Sequence, residues 1–148
     1  MALRNATKDD VARIVGLLAD DQLGSARENA AGDITAYREA FDAIAMDRNN
    51  ALLVWDEDGH VAGCLQVTFI PGLSRGGSWR AQVEAVRVGR EYRGRQIGEK
   101  MMAEVVEMAR ARGCGLVQLT TDKQRVDAHR FYRRLGFVAS HEGMKLKL

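Results

Sequence analysis

The stretch from Gln82 to Met102 constrains this chain more than any other, because its apolar period changes partway along. Val83, Ala85 and Arg87 alternate with Glu84, Val86 and Val88, which is the period of a strand. After the polar, glycine-bearing run from Gly89 to Gln96, the apolar residues Ile97, Met101, Val105 and Met108 recur at helical spacing. The segment therefore predicts strand, loop and helix, with the helix starting close to Gln96. The first amides of a helix have no intrahelical acceptor and lie at the positive end of its dipole, so such a junction suits an anionic group such as a pyrophosphate. Arg93 and Arg95 add full charges there, and Gly94 and Gly98 let the backbone approach closely.

The rest of the chain reads as elements that can surround this unit. Residues 2 to 5 predict a short strand, and Thr7 a helix cap followed by an apolar face of Val11, Ile14, Val15 and Leu18. A polar passage from Asp20 to Asp33 follows and could border a substrate cleft; Asp20, Asp21 and Glu28 there either attract a cationic amine or are simply solvated. Tyr37, Phe41, Ile44 and Ala45 suggest a second helix. Ala51 to Trp55 and Val61 to Ile70 predict two strands joined by a turn over Asp56 to Gly59. The proline and glycines from Pro71 to Gly77 predict a loop leading into the central strand. Arg110, Arg112 and Gly113 mark the end of the long helix, Leu116 to Thr121 predicts the strand after it, and Gly143 to Leu148 predicts a last strand. A strand, a long helix and a strand imply a parallel crossover.

Two motifs carry a family resemblance. Arg93, Gly94, Arg95, Gln96, Ile97 and Gly98 resemble motif A of the GCN5-related N-acetyltransferases, with Arg93 first and Gly98 last, but Gln96 stands where the middle glycine usually is. The turn before Ile97 must therefore tolerate a side chain. The run Asp127-Ala128-His129-Arg130-Phe131-Tyr132-Arg133-Arg134-Leu135-Gly136-Phe137 resembles motif B, with its alanine, aromatic pair and Leu-Gly-Phe ending. Arg125 occupies a position where many members have asparagine, and the pattern around it is similar to that of aminoalkylphosphonate acetyltransferases.

The resemblance implies a single domain over 1–148, of mixed α/β class: a mostly antiparallel twisted sheet of about six or seven strands, a parallel crossover at the cofactor site, and about four helices. It implies acetyl-coenzyme A as cofactor. A bulge in the motif A strand would let the backbone at Val86 and Val88 pair with the pantetheine arm, and the loop from Arg93 to Gly98 would hold the pyrophosphate, with Arg125 as a further cofactor contact. Acetyl transfer needs a held thioester, a neutral amine, a stabilised oxyanion and a proton for the departing thiolate. Glu84 is the candidate base, since an ideal strand puts it on the side of Val86, although it could equally pair with Arg80 or another nearby cation. Tyr132 is the candidate acid, its alternative being a core tyrosine with a bonded hydroxyl.

Length and charge bound the remaining choices. A chain of 148 residues with 46% hydrophobic and 28% charged residues suits one globular domain with a real core. Residues 1–78 hold 7 Lys or Arg against 12 Asp or Glu, a net −5, while residues 79–148 hold 15 against 8, a net +7. The half with the phosphate loop is thus the basic half, as a polyphosphate cofactor favours. Cys64 and Cys114 lack metal-ligand spacing and point to a reducing cytoplasm. No metal site, membrane span or nucleic-acid module is expected, while a homodimer accords with the resemblance. The acceptor is expected to be a small-molecule or peptide amine. Two other functions use similar parts: a dinucleotide-binding oxidoreductase, for which Gly94 and Gly98 fall short of the three-glycine fingerprint, and a regulatory module that binds acyl-coenzyme A with weak catalysis.

Overall fold

A computed structural model describes residues 2–148, and the chain forms two compact units, Met1–Gln118 and Leu119–Leu148. In the first, β1 (Ala2–Asn5) leads through a short 3₁₀ turn (Lys8–Asp10) into α1 (Val11–Ala19), α2 (Gln22–Arg27) and α3 (Thr35–Met46). There follow β2 (Asn50–Glu57), β3 (His60–Ile70), a four-residue helical turn α4 (Ser74–Gly77), β4 (Trp79–Val88), a second 3₁₀ turn (Arg90–Tyr92), α5 (Ile97–Ala111) and β5 (Cys114–Leu119). The strands make one sheet in the order β1-β2-β3-β4-β5. The first three pairs are antiparallel and the sheet is mixed, so the α5 crossover joins the parallel pair.

Each element has a local cause. Asp58 and Gly59, both at positive φ (52° and 86°), form the tight turn between β2 and β3. Thr7 donates both its backbone amide (2.7 Å) and its hydroxyl (3.1 Å) to Asp10, fixing the entry to α1. Asp10 also binds Arg4 through both carboxylate oxygens, and Arg4 reaches Asp56 on β2, so this network ties β1, α1 and the sheet together. The Arg4 guanidinium holds the buried Asp10 carboxyl below the usual carboxylate range.

Register and burial separate the two faces of the sheet. Leu53, Leu65, Val67, Phe69, Ala81 and Val83 are all buried on one face, which α5 covers with Ile97, Met101, Met102, Val105 and Ala109. Gly63 lets Met101 approach this closely: a Cβ there would lie 3.1 Å from the Met101 methyl and 2.8 Å from a backbone oxygen. On the other face Ile14, Leu17, Val54, Val61 and Cys64 cluster, and Val11, Val15 and Phe41 form a second group against Leu52. Helices α1 and α3 supply that cover.

The class is the expected one, but three details are corrected. Among the described residues the sheet has five strands, not six or seven, partly because Gly143 to Leu148 forms none: Met144 and Leu146 alternate as a strand would, yet are 93% and 87% exposed, and a strand without a ladder partner has nothing to hold it. Among the described residues there are six helices rather than about four. Helix α2 lies in the polar passage from Asp20 to Asp33, for which no element was expected, and Asp21 caps it by accepting from the Gly24 amide. At six residues it is too short to show an apolar period.

The second unit contains α6 (Val126–Arg134). It ends as its sequence predicts: Gly136, at φ 95°, donates to the Arg133 carbonyl (3.0 Å) and Phe137 donates to the Tyr132 carbonyl (3.0 Å).

Candidate active site

In β4 the alternation runs cleanly only as far as Glu84. Ala85 takes φ 55°, and between the pairs Gln66 to Glu84 and Cys64 to Arg87 a single residue of β3, Leu65, opposes both Ala85 and Val86. This is the β-bulge that the resemblance implied. It also corrects the ideal-strand argument, because the extra residue re-phases the chain: Arg87, not Val86, is paired with Cys64, and Val88 is paired with Gly63. Glu84 keeps its place through its own partner Gln66. The carbonyl of Val86 accepts from Arg87 Nη1 at 2.9 Å, and the Cys64 thiol donates to the Ala85 carbonyl at 3.7 Å.

Glu84 is exposed and, among the described residues, makes no ion pair; the expected alternative, a bond to Arg80, is not formed. Its surroundings are polar. Gln66 and Thr68 both donate to Asn50 Oδ1 (3.0 and 3.3 Å), and Gln118 donates to Gln82 Oε1 (2.7 Å). The register places Asn50, Thr68 and Gln82 in one row and Gln66 beside Glu84 in the next. These residues continue the face that α1 and α3 cover elsewhere, and they are half-buried rather than closed. Sequence reading missed this row because its members come from four strands.

The loop after β4 has the shape expected of an anion cradle. Gly94 takes φ 77° with open space where a side chain would be. Gln96 is left-handed (φ 59°, ψ 22°), so it adopts the conformation the usual glycine would take, at a cost of about 1 kcal/mol. Its side chain makes no capping bond, which leaves the first amides of α5 from Ile97 and Gly98 onward to other acceptors. Arg93 and Arg95 are exposed, and the Arg95 guanidinium stacks 5.4 Å from the Tyr92 ring centre. These features fit a pyrophosphate group.

Helix α1 holds this loop from behind. Arg13 donates to the Val61 carbonyl (3.2 Å) and to Glu91 (2.7 Å), and Arg90 pairs with Asp20 (3.0 Å). Both Arg13 Nη2 and the Glu91 carboxylate would crowd a Cβ at Gly89, at 2.9 and 3.1 Å, so the clasp closes over a glycine. The Glu91 carboxyl lies below its ordinary range, first through its own backbone amide and then through Arg13. Asp20, Asp21 and Glu28, read as amine attractors or solvated charges, thus all have structural partners: Arg90, the α2 amide, and the Tyr37 hydroxyl, which donates to Glu28 at 2.7 Å.

Within the second unit, Tyr132 packs edge-on against Phe131 (5.1 Å) and Phe137 (5.8 Å), so its ring is fixed by motif B aromatics. Arg125 immediately precedes α6 at the N-cap position, its amide donating to the Asp122 carbonyl (2.9 Å), and His129 Nε2 lies 3.0 Å from the same oxygen. The cysteines are free thiols. Burial pushes the Cys64 thiol up to about 12 and raises that of Cys114 as well.

A bulged strand running through a glycine loop into a helix, with the motif B helix later in the chain, is the architecture of an acetyltransferase. The acetyltransferase (GNAT) family model matches residues 18–137, and the chain belongs to that family. It is 31% identical to the aminoalkylphosphonate N-acetyltransferase of Salmonella typhimurium over 139 residues, 94% of this chain and 86% of the relative. It is also 31% identical to the glucosamine 6-phosphate N-acetyltransferase of Trypanosoma brucei brucei, over 61% of this chain and 59% of that protein. A solved structure from Bacillus halodurans C-125, described as a transcriptional regulator, superimposes with a TM-score of 0.95 at 47% identity, covering 99% of both chains. No helix among the described residues is long and apolar enough to cross a membrane.

Proposed function

We propose that this chain is an N-acetyltransferase that moves the acetyl group of acetyl-coenzyme A to the primary amine of a small molecule or peptide, by direct transfer in a ternary complex. The observation that carries the reading is Glu84: a carboxylate without an ion pair among the described residues, on a polar sheet face, one residue before the bulge. When bound, the cofactor supplies an acyl carbon activated as a thioester. The amides from Gly94 to Gly98, with Arg93 and Arg95, would hold its phosphates, the backbone at Val86 and Val88 would pair with its arm, and Arg125 would be a further contact. Glu84 accepts the proton of the ammonium group, directly or through water, and Tyr132 Oη donates one to the departing thiolate. The high thiol range of Cys64 supports direct transfer, since a thiol held protonated is a poor nucleophile. The family match spans both compact units, which supports reading 1–148 as one catalytic domain.

A second reading, a regulatory module that binds acyl-coenzyme A, is favoured by the description of the Bacillus halodurans protein. One experiment separates them. The chain is mixed with acetyl-coenzyme A and a panel of amines, and thiol release is followed. Amine-dependent release is expected; coenzyme binding with no release for any amine would favour the regulatory reading.

A further inference from the structure

The polar face of the sheet carries a second charge that the transfer chemistry does not use. Arg80 stands on β4 four residues before Glu84, and alternation puts Arg80, Gln82 and Glu84 on the same side while Ala81 and Val83 are buried on the other. Arg4, Arg13 and Arg90 each have a carboxylate partner in this unit, whereas Arg80, half-buried, has none among the described residues. A half-buried guanidinium without a counter-charge is unusual unless something else supplies one. The loop after β3 runs beside it: a Cβ at Gly72 would lie 3.4 Å from Arg80 Nη1, an ordinary contact distance.

We propose that Arg80 reads an anionic group on the acceptor, which makes the acceptor a small amine that also carries a phosphate, phosphonate or carboxylate. This rests on the acetyltransferase reading and narrows it. Glu84 takes the ammonium end and Arg80 the anionic end. Their Cα atoms are about 13 Å apart at strand spacing, and both side chains are long enough to close on a short molecule between them. The neutral Gln82 amide and the Thr68 hydroxyl lie between the charges, with the Gln66 amide beside Glu84, and suit a polar, uncharged middle. The same arrangement works against a diamine, whose second ammonium would meet Arg80. Guanidinium forks match phosphate and carboxylate oxygens two at a time, and that geometry is why lysine is only a partial substitute.

The test compares wild type with Arg80→Met and Arg80→Lys, using O-phosphoethanolamine, 2-aminoethylphosphonate, β-alanine, ethanolamine and 1,3-diaminopropane as acceptors. At least one anionic amine is expected to exceed ethanolamine in kcat/KM by about tenfold or more, the size of one charged hydrogen-bonded contact. Arg80→Met should remove that advantage mainly through KM and leave ethanolamine within about twofold, and Arg80→Lys should restore part of it. The acceptor with the largest loss identifies the anion. Equal losses for anionic and neutral amines, or no preference in wild type, would overturn the assignment while leaving the acetyltransferase intact. Calorimetric binding of the same amines in the presence of coenzyme A provides the independent arm. If no amine is acetylated but an anionic amine binds and Arg80→Met abolishes that binding, the transferase reading fails and Arg80 keeps its role. If no anionic amine binds or turns over, Arg80 is a surface residue.

Discussion

On the α5 side of the sheet, the positions from Leu53 through Leu65, Val67 and Phe69 to Ala81 and Val83 are apolar and closed to solvent. On the α1 side the apolar cover reaches Leu52, Val54 and Cys64, and then Asn50, Gln66, Thr68, Gln82, Glu84 and Arg80 take over, half-buried or exposed. One face is thus spent on holding the sheet, and the other is divided between holding it and meeting a ligand. The teaching is that stability and chemistry occupy different rows of the same strands, so substitutions a single residue apart should act on different measurable quantities.

The largest effect is expected at Glu84. Glu84→Gln keeps shape and polarity but removes the base, so kcat with an accepted amine should fall by about a hundredfold or more. Thermal stability should stay within about 0.5 kcal/mol, because the carboxylate is exposed and unpaired among the described residues. Steady-state kinetics and a melting curve on the same sample check both halves. A variant that keeps full turnover would remove Glu84 from the mechanism.

Leu65, the residue that opposes the bulge, is the counterpart on the closed face and is fully buried. Leu65→Ala should cost about 2 to 5 kcal/mol in denaturant unfolding, through lost transfer energy and the cavity left behind. If it unfolds no more readily than wild type, the closed face is not the packed layer described above.

How much of this division could be read in the sequence depends on which contacts are local. Val83 and Glu84 differ in kind, and their alternation announced two faces. The turn at Asp58 and Gly59 and the helix stop at Gly136 were legible because each is made within a few residues. The bulge at Ala85 left no mark in the residue pattern and came only with the family resemblance. The polar row was invisible because Gln66 and Glu84 become neighbours through register alone, and Arg13 and Glu91 meet across 78 positions. The final strand failed for the opposite reason: Met144, Leu146 and Leu148 alternate correctly, but alternation does not create a partner.

The clasp of Arg13 on Glu91 joins the covered part of the α1 face to the phosphate loop, and its effect should be smaller. Both side chains are about half exposed, at 42% and 57%, so solvent screens the pair. Arg13→Met and Glu91→Gln should each raise the KM for acetyl-coenzyme A by about twofold to fivefold with kcat unchanged, and the double variant should add little to either. High salt should reduce the difference from wild type. Fully additive losses in a double-mutant cycle would mean that the two residues act separately.

The smallest effect sits at Gln96, where the comparison of faces gives way to backbone strain. A side chain at φ 59° costs about 1 kcal/mol that glycine would not incur, while glycine gains freedom in the unfolded chain that offsets part of the difference. Gln96→Gly should therefore stabilise the fold by a few tenths of a kcal/mol to about 1 kcal/mol, a rise of a few degrees at most in the melting temperature of a chain this size. The cradle itself should survive, because Gln96 makes no capping bond that the change would remove. Affinity for coenzyme A, measured by calorimetry, should then stay within about twofold. If the variant melts lower than wild type, the glutamine side chain makes a contact worth more than the strain it imposes. If stability rises but coenzyme affinity falls by tenfold, the side chain at this position binds the cofactor directly, and the departure from the family's glycine is a functional substitution rather than a tolerated one.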